Sequence, residues 1–275
     1  MAASAEAIGV TKVNAPVHKT ITLAILAGAF IAFGAAFFTT VTANTFLSEG
    51  ITKLIGGICF SLGLILVIVG GAELFTGNNL IVMAWAGGKV TSKQMLKNWL
   101  WVFIGNFIGV IFISMLIYLT KMHYAASGKV GIHLLNIAKK KCELGFVQAL
   151  AAGILCNILV CLAVWLCFSS KSISGKILAI IFPISAFVTL GFEHSIANMY
   201  FIPEALFIKD FEPGFIREFH GQSADVYTTI TWSSFFLKNL LPVTLGNIIG
   251  GGALVGLVYW FVYLKNDKPQ VSKNK

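Results

Sequence analysis

Charge is scarce in this chain. Asp, Glu, Lys and Arg together make up 11% of its 275 residues, against about 25% in a soluble domain. So few charges cannot cover the surface of a soluble fold of this size, which excludes that class. Cysteine is scarce too, with five residues. Cys156, Cys161 and Cys167 share one apolar run with no His beside them, so they suit helix packing rather than a disulfide framework or a metal site. No Gly-rich phosphate loop, His-Glu-x-x-His helix or nucleophile elbow is present. An enzyme has little to stand on here, and no cofactor or metal is called for. What abounds is apolar: 57% hydrophobic residues, 23 Phe and 27 Gly. That excludes disorder and predicts an all-α polytopic membrane protein.

The net charge of +9 would suggest nucleic acid in a soluble protein. Here the charges sit between apolar runs, where they bias membrane orientation instead. Met1–Lys19 has no basic region followed by an apolar stretch, so no signal peptide is expected. Six stretches approach the roughly 20 residues that cross a bilayer: Thr20–Val41, Leu54–Val82, Trp99–Leu119, Leu144–Phe168, Ile177–Ile208 and Phe235–Leu264. With the amino terminus inside, eleven Lys fall on the cytoplasmic side against nine Lys and Arg opposite, which favours cytoplasmic termini. The expected organisation is a cytoplasmic segment 1–19, one transmembrane domain 20–264 and a basic tail 265–275.

The second and fifth stretches are interrupted at Gly71–Asn79 and Gly191–Asn198. Gly71, Glu73 and Asn78 repeat as Gly191, Glu193 and Asn198 at a constant offset of 120 residues. Gly105-Asn106-Phe107-Ile108-Gly109 of the third stretch likewise matches Gly246-Asn247-Ile248-Ile249-Gly250 of the sixth, and Gly28 is paired with Gly153. The chain therefore reads as two three-span halves, about 20–120 and 144–264. An odd number of spans per half inverts the second against the first. The two breaks then meet near the midplane, where irregular backbone is tolerated only inside protein or beside a water-filled cavity. This pattern predicts a channel or transporter.

Candidate residues follow from the breaks. His194 is an imidazole on a break within a span, a functional position by default, and it titrates near neutral pH when unperturbed. Glu73 and Glu193 are intramembrane acids that need partners. Glu73 is expected to satisfy broken backbone, whereas Glu193 either does the same or orients His194. Helix N-termini after the breaks present N–H groups and a positive dipole end toward the midplane, which favours a small anion. Thr76, Asn78, Asn79, Ser195 and Asn198 add neutral hydrogen-bonding groups. Asn157 and Asn247 either line a pore or bridge helices. Lys141, ending the run Lys139-Lys140-Lys141, is either an anion attractor or a solvated loop charge. Phe60, Phe75 and Phe187 lie near the breaks, where an apolar constriction competes with lipid contact. The pairs Gly105/Gly109, Gly246/Gly250 and Gly252/Gly256 suit close helix packing, within a subunit or between subunits.

Ile68-Val69-Gly70-Gly71-Ala72-Glu73-Leu74-Phe75-Thr76-Gly77 and Gly191-Phe192-Glu193-His194-Ser195-Ile196-Ala197-Asn198-Met199 closely resemble the two signatures of the formate/nitrite transporter family. The likeness runs from about Thr20 to Leu264. Gly56–Leu66 and Pro242–Gly252 resemble its formate-channel branch. The resemblance implies an aquaporin-like protomer in a homopentamer of a bacterial inner membrane. Each protomer would pass small monovalent anions, formate above all, with acetate and nitrite as further candidates, and protons as partners in transport. By position, it makes His194 the pore centre with Thr76 beside it and Glu193 and Asn198 at the same break. Lys141 becomes the attracting cation, and Asn157 and Asn247 line the path. Phe60, Leu64, Leu74, Phe75 and Phe187 form the constrictions. A nitrite or hydrosulfide channel is the sibling reading. A water or polyol channel lacks its expected Asn-Pro-Ala tips, and a membrane enzyme built on Glu73, Glu193 and His194 has no motif behind it.

Overall fold

The computed structural model describes residues 1–220 and 224–265, so the basic tail from 266 onward lies outside the described residues. Five helices are long and apolar enough to cross a membrane: α2 (Val17–Thr42), α3 (Glu49–Gly70), α6 (Ser92–Leu119), α8 (Phe146–Cys167) and α12 (Ser234–Tyr263). Between them lie α1 (Ala2–Asn14), the short α4 (Phe75–Asn78) and α5 (Val82–Ala86), α7 (Lys129–Cys142), α9 (Ile173–Thr189), α10 (Ser195–Phe211) and α11 (Pro213–His220). No strand occurs among the described residues. Helix α9, at 17 residues, needs α10 to complete its passage. The broken fifth stretch is thus two helices rather than one interrupted helix. Exposed Phe33, Phe37, Leu100 and Phe112 on α2 and α6 suit lipid or subunit contact rather than water.

Both breaks are built the same way. Gly71 (φ +72°) and Gly191 (φ +73°) take the left-handed conformation that ends a helix without a Cβ penalty. Just beyond them, Ala72 N donates to the Val67 carbonyl and Phe192 N to the Phe187 carbonyl, each closing a terminal turn. The chain then runs extended only to Leu74 and His194. Thr76, Asn78 and Ser195–Asn198 are therefore already helical, and the interruptions are shorter than the sequence pattern suggests. Glu73 N donates to the Leu23 carbonyl, and Glu193 N to the Ala152 carbonyl.

Those bonds set the pairing of the halves at an offset of 129 for α2 and α8. Ala24, not Gly28, is the partner of Gly153, because both accept from the equivalent Asn: Asn106 Nδ2 to the Ala24 carbonyl (2.7 Å) and Asn247 Nδ2 to the Gly153 carbonyl (2.8 Å). The same offset carries α1 onto α7. Each half therefore begins with a short helix ahead of its first span, which the apolar pattern does not reveal.

The small-residue pairs work within the subunit. A Cβ on Gly28 would overlap the Asn106 carbonyl, and one on Gly109 the Ile25 carbonyl, so α2 and α6 meet backbone to backbone. Gly246 and Gly250 do the same for α12 against the Leu150 and Ile154 carbonyls of α8. Helix α3 packs on α2 and α9, while α10 is enclosed by α2, α6 and α7. Two symmetry-related bundles thus hold two breaks facing each other at the centre.

Candidate functional site

At the meeting point of the breaks, His194 Nε2 lies 3.0 Å from Thr76 Oγ1. Both side chains are buried. His194 precedes α10 as its cap: Ala197 N donates to Nδ1 at 3.1 Å. A nitrogen that accepts a backbone N–H carries no proton, so the neutral ring holds its proton on Nε2 and donates it toward Thr76. Phe187 stacks on the imidazole with centroids 6.0 Å apart, and Phe60 meets Phe187 edge-on at 5.7 Å. The centre is one hydrogen-bonding pair beneath an aromatic pair.

Asn106 and Asn247 support this centre. Asn106 Oδ1 accepts from Phe75 N at 2.9 Å, and its Nδ2 donates to the Ala24 and Glu73 carbonyls. Asn247 Oδ1 accepts from Ser195 N at 2.9 Å, and its Nδ2 donates to the Gly153 and Glu193 carbonyls. Each satisfies the first N–H of a helix that begins inside the membrane, where no water is at hand. Asn157 Nδ2 contacts the Thr76 and Asn247 carbonyls and Asn79 Oδ1. Asn247 thus bridges helices through backbone groups, whereas Asn157 does so through its Nδ2 alone, its Oδ1 having no hydrogen-bond partner among the described residues.

The two intramembrane acids have matching environments. Glu73 Oε2 accepts from Lys12 Nζ (2.8 Å) and Asn78 Nδ2 (2.7 Å), and Asn78 also donates to Asn98. Glu193 Oε1 accepts from Lys141 Nζ (2.8 Å), while its Oε2 accepts from Asn198 (2.6 Å) and Asn239 (3.2 Å). One expectation is corrected here and one open alternative is closed. The Glu73 carboxylate serves a lysine and an asparagine rather than broken backbone, because the Asn106 amide already holds that backbone. Glu193 does not orient His194, whose two nitrogens are taken by Ala197 and Thr76. Lys141 is an ion-paired cation, and it also lies over the Phe201 ring at 5.4 Å.

The constriction candidates separate into groups. Phe60 and Phe187 sit beside His194. Leu64 and Leu74 line a cavity of about 330 Å³ on the amino-terminal side, together with Lys12, Glu73 and Asn78. The Phe75 ring instead packs against Trp99 (6.3 Å) and Phe103 (5.0 Å) of α6, as part of the wall behind the centre.

The sequence alone does not point to Lys12, Asn98 or Asn239. The two Asn stand 141 residues apart, like Asn106 and Asn247, so extending that alignment backward finds them. Lys12 carries no such signal. It precedes its acid by 61 residues and Lys141 precedes its own by 52, since the intervening loops differ in length. Among the described residues, no group of three or more His, Cys, Asp or Glu is placed to hold a metal.

Comparison with known proteins extends this geometry. A family model described as formate/nitrite transporter matches residues 1–261. The formate channel FocA of Escherichia coli strain K12 is 44% identical over 268 residues, covering 97% of this chain and 94% of that protein. The Haemophilus influenzae formate channel FocA is 43% identical over 85% of this chain and 82% of its own length. A solved structure described as a pentameric formate channel with formate bound superposes with a TM-score of 0.85 at 43% identity, covering 90% of this chain and 98% of that one.

Proposed function

Since the chain belongs to the formate/nitrite transporter family, and is a multi-pass membrane protein of that family, we propose that it passes formate and similar small monovalent anions through a pore in each protomer. It works as a homopentamer in a bacterial inner membrane, termini cytoplasmic, and turns over no substrate. The observation that carries this reading is the buried pair of His194 Nε2 and Thr76 Oγ1 between two inward-facing helix starts, under Phe187 and Phe60. The one-domain organisation follows from the halves sharing this centre.

The mechanism follows from the chemistry of that pair. A carboxylate with one exposed charge loses water at the aromatic pair, which is costly unless donors replace it. The Thr76 hydroxyl, which accepts from Nε2–H of His194 and so keeps its own proton free, supplies a donor at the centre, and the two helix N-termini supply a positive potential. Positioned cations and dipoles of this kind select for negative charge, while apolar walls reject larger hydrated ions. The matching ion pairs Lys12–Glu73 and Lys141–Glu193 place an ammonium on each side of the centre.

Proton exchange is a second branch. A neutral imidazole whose only proton is on Nε2 is a hydrogen-bond donor, not a proton source for formate. A proton passes to the anion only from the imidazolium, and forming it sacrifices the Ala197 N–H···Nδ1 bond. The anion thus crosses unprotonated at neutral pH. At low pH, neutral formic acid crosses instead, and current falls while flux continues.

The test is formate flux and current in liposomes from pH 7.5 to 5, beside His194→Ala and His194→Gln. A current that declines with acid in the wild type, and a changed pH profile in both variants, is expected. Unaltered profiles in both would sink the role of His194. Passage of nitrite or hydrosulfide without formate would keep the fold and move the substrate to a sibling.

A further inference from the structure

The cavity of about 330 Å³ on the amino-terminal side is lined by three charged residues, Lys12, Glu73 and Lys176. Lys12 is neutralised by Glu73 at 2.8 Å. Lys176, near the start of α9, has no carboxylate within ion-pair distance among the described residues. Its ammonium makes no hydrogen bond there either; its backbone carbonyl accepts from Cys167 Sγ at 3.7 Å. The remaining wall is mostly apolar, with Leu64, Val67, Leu74 and Phe168 among its members. One cation without a carboxylate partner among the described residues therefore lines a mostly apolar cavity that reaches Leu64 and Leu74.

The repeat sharpens the point. Helices α3 and α9 correspond at an offset of 120, through Gly71 and Gly191. That offset sets Gly56 where α9 has Lys176. Gly56 is packed against Phe38 and Thr42, with no room there for a long basic side chain. The two ion pairs around the centre are symmetrical, but this charge is not.

We propose that Lys176 is a rate-determining residue for anion entry from the amino-terminal side: as the unneutralised cation on the wall of that cavity, it concentrates small monovalent anions beside the constriction. This rests on the anion-passing reading above. A cation on the wall of so small a chamber lies on the order of 10 Å from an anion at its centre. In a water-like dielectric that raises occupancy about twofold at low ionic strength, and reversing the charge lowers it by a similar factor. Focusing in a low-dielectric cleft works in the same direction. Screening removes the effect, since the Debye length falls from about 30 Å at 0.01 M to about 3 Å at 1 M.

The experiment compares formate entry from each side of proteoliposomes, with sidedness assigned by an amino-terminal tag and ionic strength set by a gluconate salt. At about 0.01 M, Lys176→Gln is expected to enter about twofold more slowly from the amino-terminal side and Lys176→Glu about fourfold, while Lys176→Arg keeps the wild-type rate. Entry from the opposite side changes less. At about 1 M all four proteins converge. Wild-type entry by Lys176→Glu at low ionic strength would overturn the proposal, as would a deficit that persists at high salt, which marks altered packing. A wild-type protein that carries no formate and no other small anion would overturn the anion-passing reading itself, and the proposal with it.

Discussion

Asn247→Ala is the sharpest test of how the midplane break is held. The side chain is fully buried and makes three bonds, accepting from Ser195 N at 2.9 Å and donating to the Gly153 and Glu193 carbonyls at 2.8 and 3.0 Å. Truncation strands the Ser195 N–H and the Glu193 carbonyl, while the Gly153 carbonyl, inside α8, keeps its helical partner and loses only a second donor. Each buried orphan costs about 1–3 kcal/mol, while polar side-chain bonds in membrane proteins average about 0.6 kcal/mol because the reference state finds other partners. Three bonds at the membrane average and two orphans at the full cost bracket the loss between about 2 and 6 kcal/mol, with about 3 kcal/mol the working figure. For a chain of this size that corresponds to a fall of about 6–12 °C in thermal midpoint. Thermal unfolding in detergent, followed by intrinsic fluorescence, reads it. Asn106→Ala breaks the equivalent three bonds and is expected to lose a similar amount. Formate flux is expected to fall in Asn247→Ala, because Ser195 and His194 lose the anchor that fixes the start of α10. A midpoint within about 1 °C of wild type in both variants, with flux intact, would refute the reasoning; that shift is well under 1 kcal/mol.

Three further outcomes follow. Lys12→Met leaves the Glu73 carboxylate with Asn78 as its remaining partner; since Lys12 is partly exposed, the loss is expected at about 1–3 kcal/mol rather than the full value for a buried pair, and adding Glu73→Gln should restore most of it in the same melt. Thr76→Val removes the hydroxyl facing His194 Nε2 at 3.0 Å without changing side-chain volume, so formate flux should drop at least tenfold, about 1.4 kcal/mol of lost stabilisation, while the melt moves less than in Asn247→Ala. On the side opposite the amino terminus, burial acts to raise the Glu212 carboxyl, but hydrogen bonds from Lys121, Tyr118 and Tyr124 and the charge of His123 outweigh it and bring it down to about 2. His123 is itself lowered, chiefly by burial. Both groups bind fewer protons folded than unfolded, so their contribution is lost on acidification, His123 first below its ordinary pKa near 6.5 and Glu212 only below about 4; the protection of amides 121–128 relative to their intrinsic exchange rate should fall between pH 7.5 and 5.5, and less so in His123→Phe.

The broken helices, the inverted halves and the central His194 are legible in the amino-acid pattern because they violate local rules: polar residues and Gly inside apolar runs, twice, at one spacing. Thr76 is found by position in the matching motif. Lys12 is not, because a lone lysine on a short polar helix looks like any solvated charge until the fold brings it to Glu73. The partner of Gly153 is misread as Gly28 for a related reason. Glycine marks close approach, but on α2 the residue that accepts from the stapling Asn is Ala24, and only the hydrogen bonds distinguish them. Phe75 is drawn to the breaks by proximity in sequence, yet its ring turns to Trp99 and Phe103.

Composition and periodicity by themselves determine that this chain lies in a membrane and that its halves oppose each other, since transfer free energy and span parity depend on residue type and count. Which groups meet across the centre is decided by tertiary structure. Lys12 with Glu73, His194 with Thr76 118 residues away, and Asn247 with Ser195 are pairs that local sequence does not encode. They form because a backbone opened inside a bilayer must find every one of its hydrogen bonds within the protein, and only the packed helices bring the donors and acceptors together.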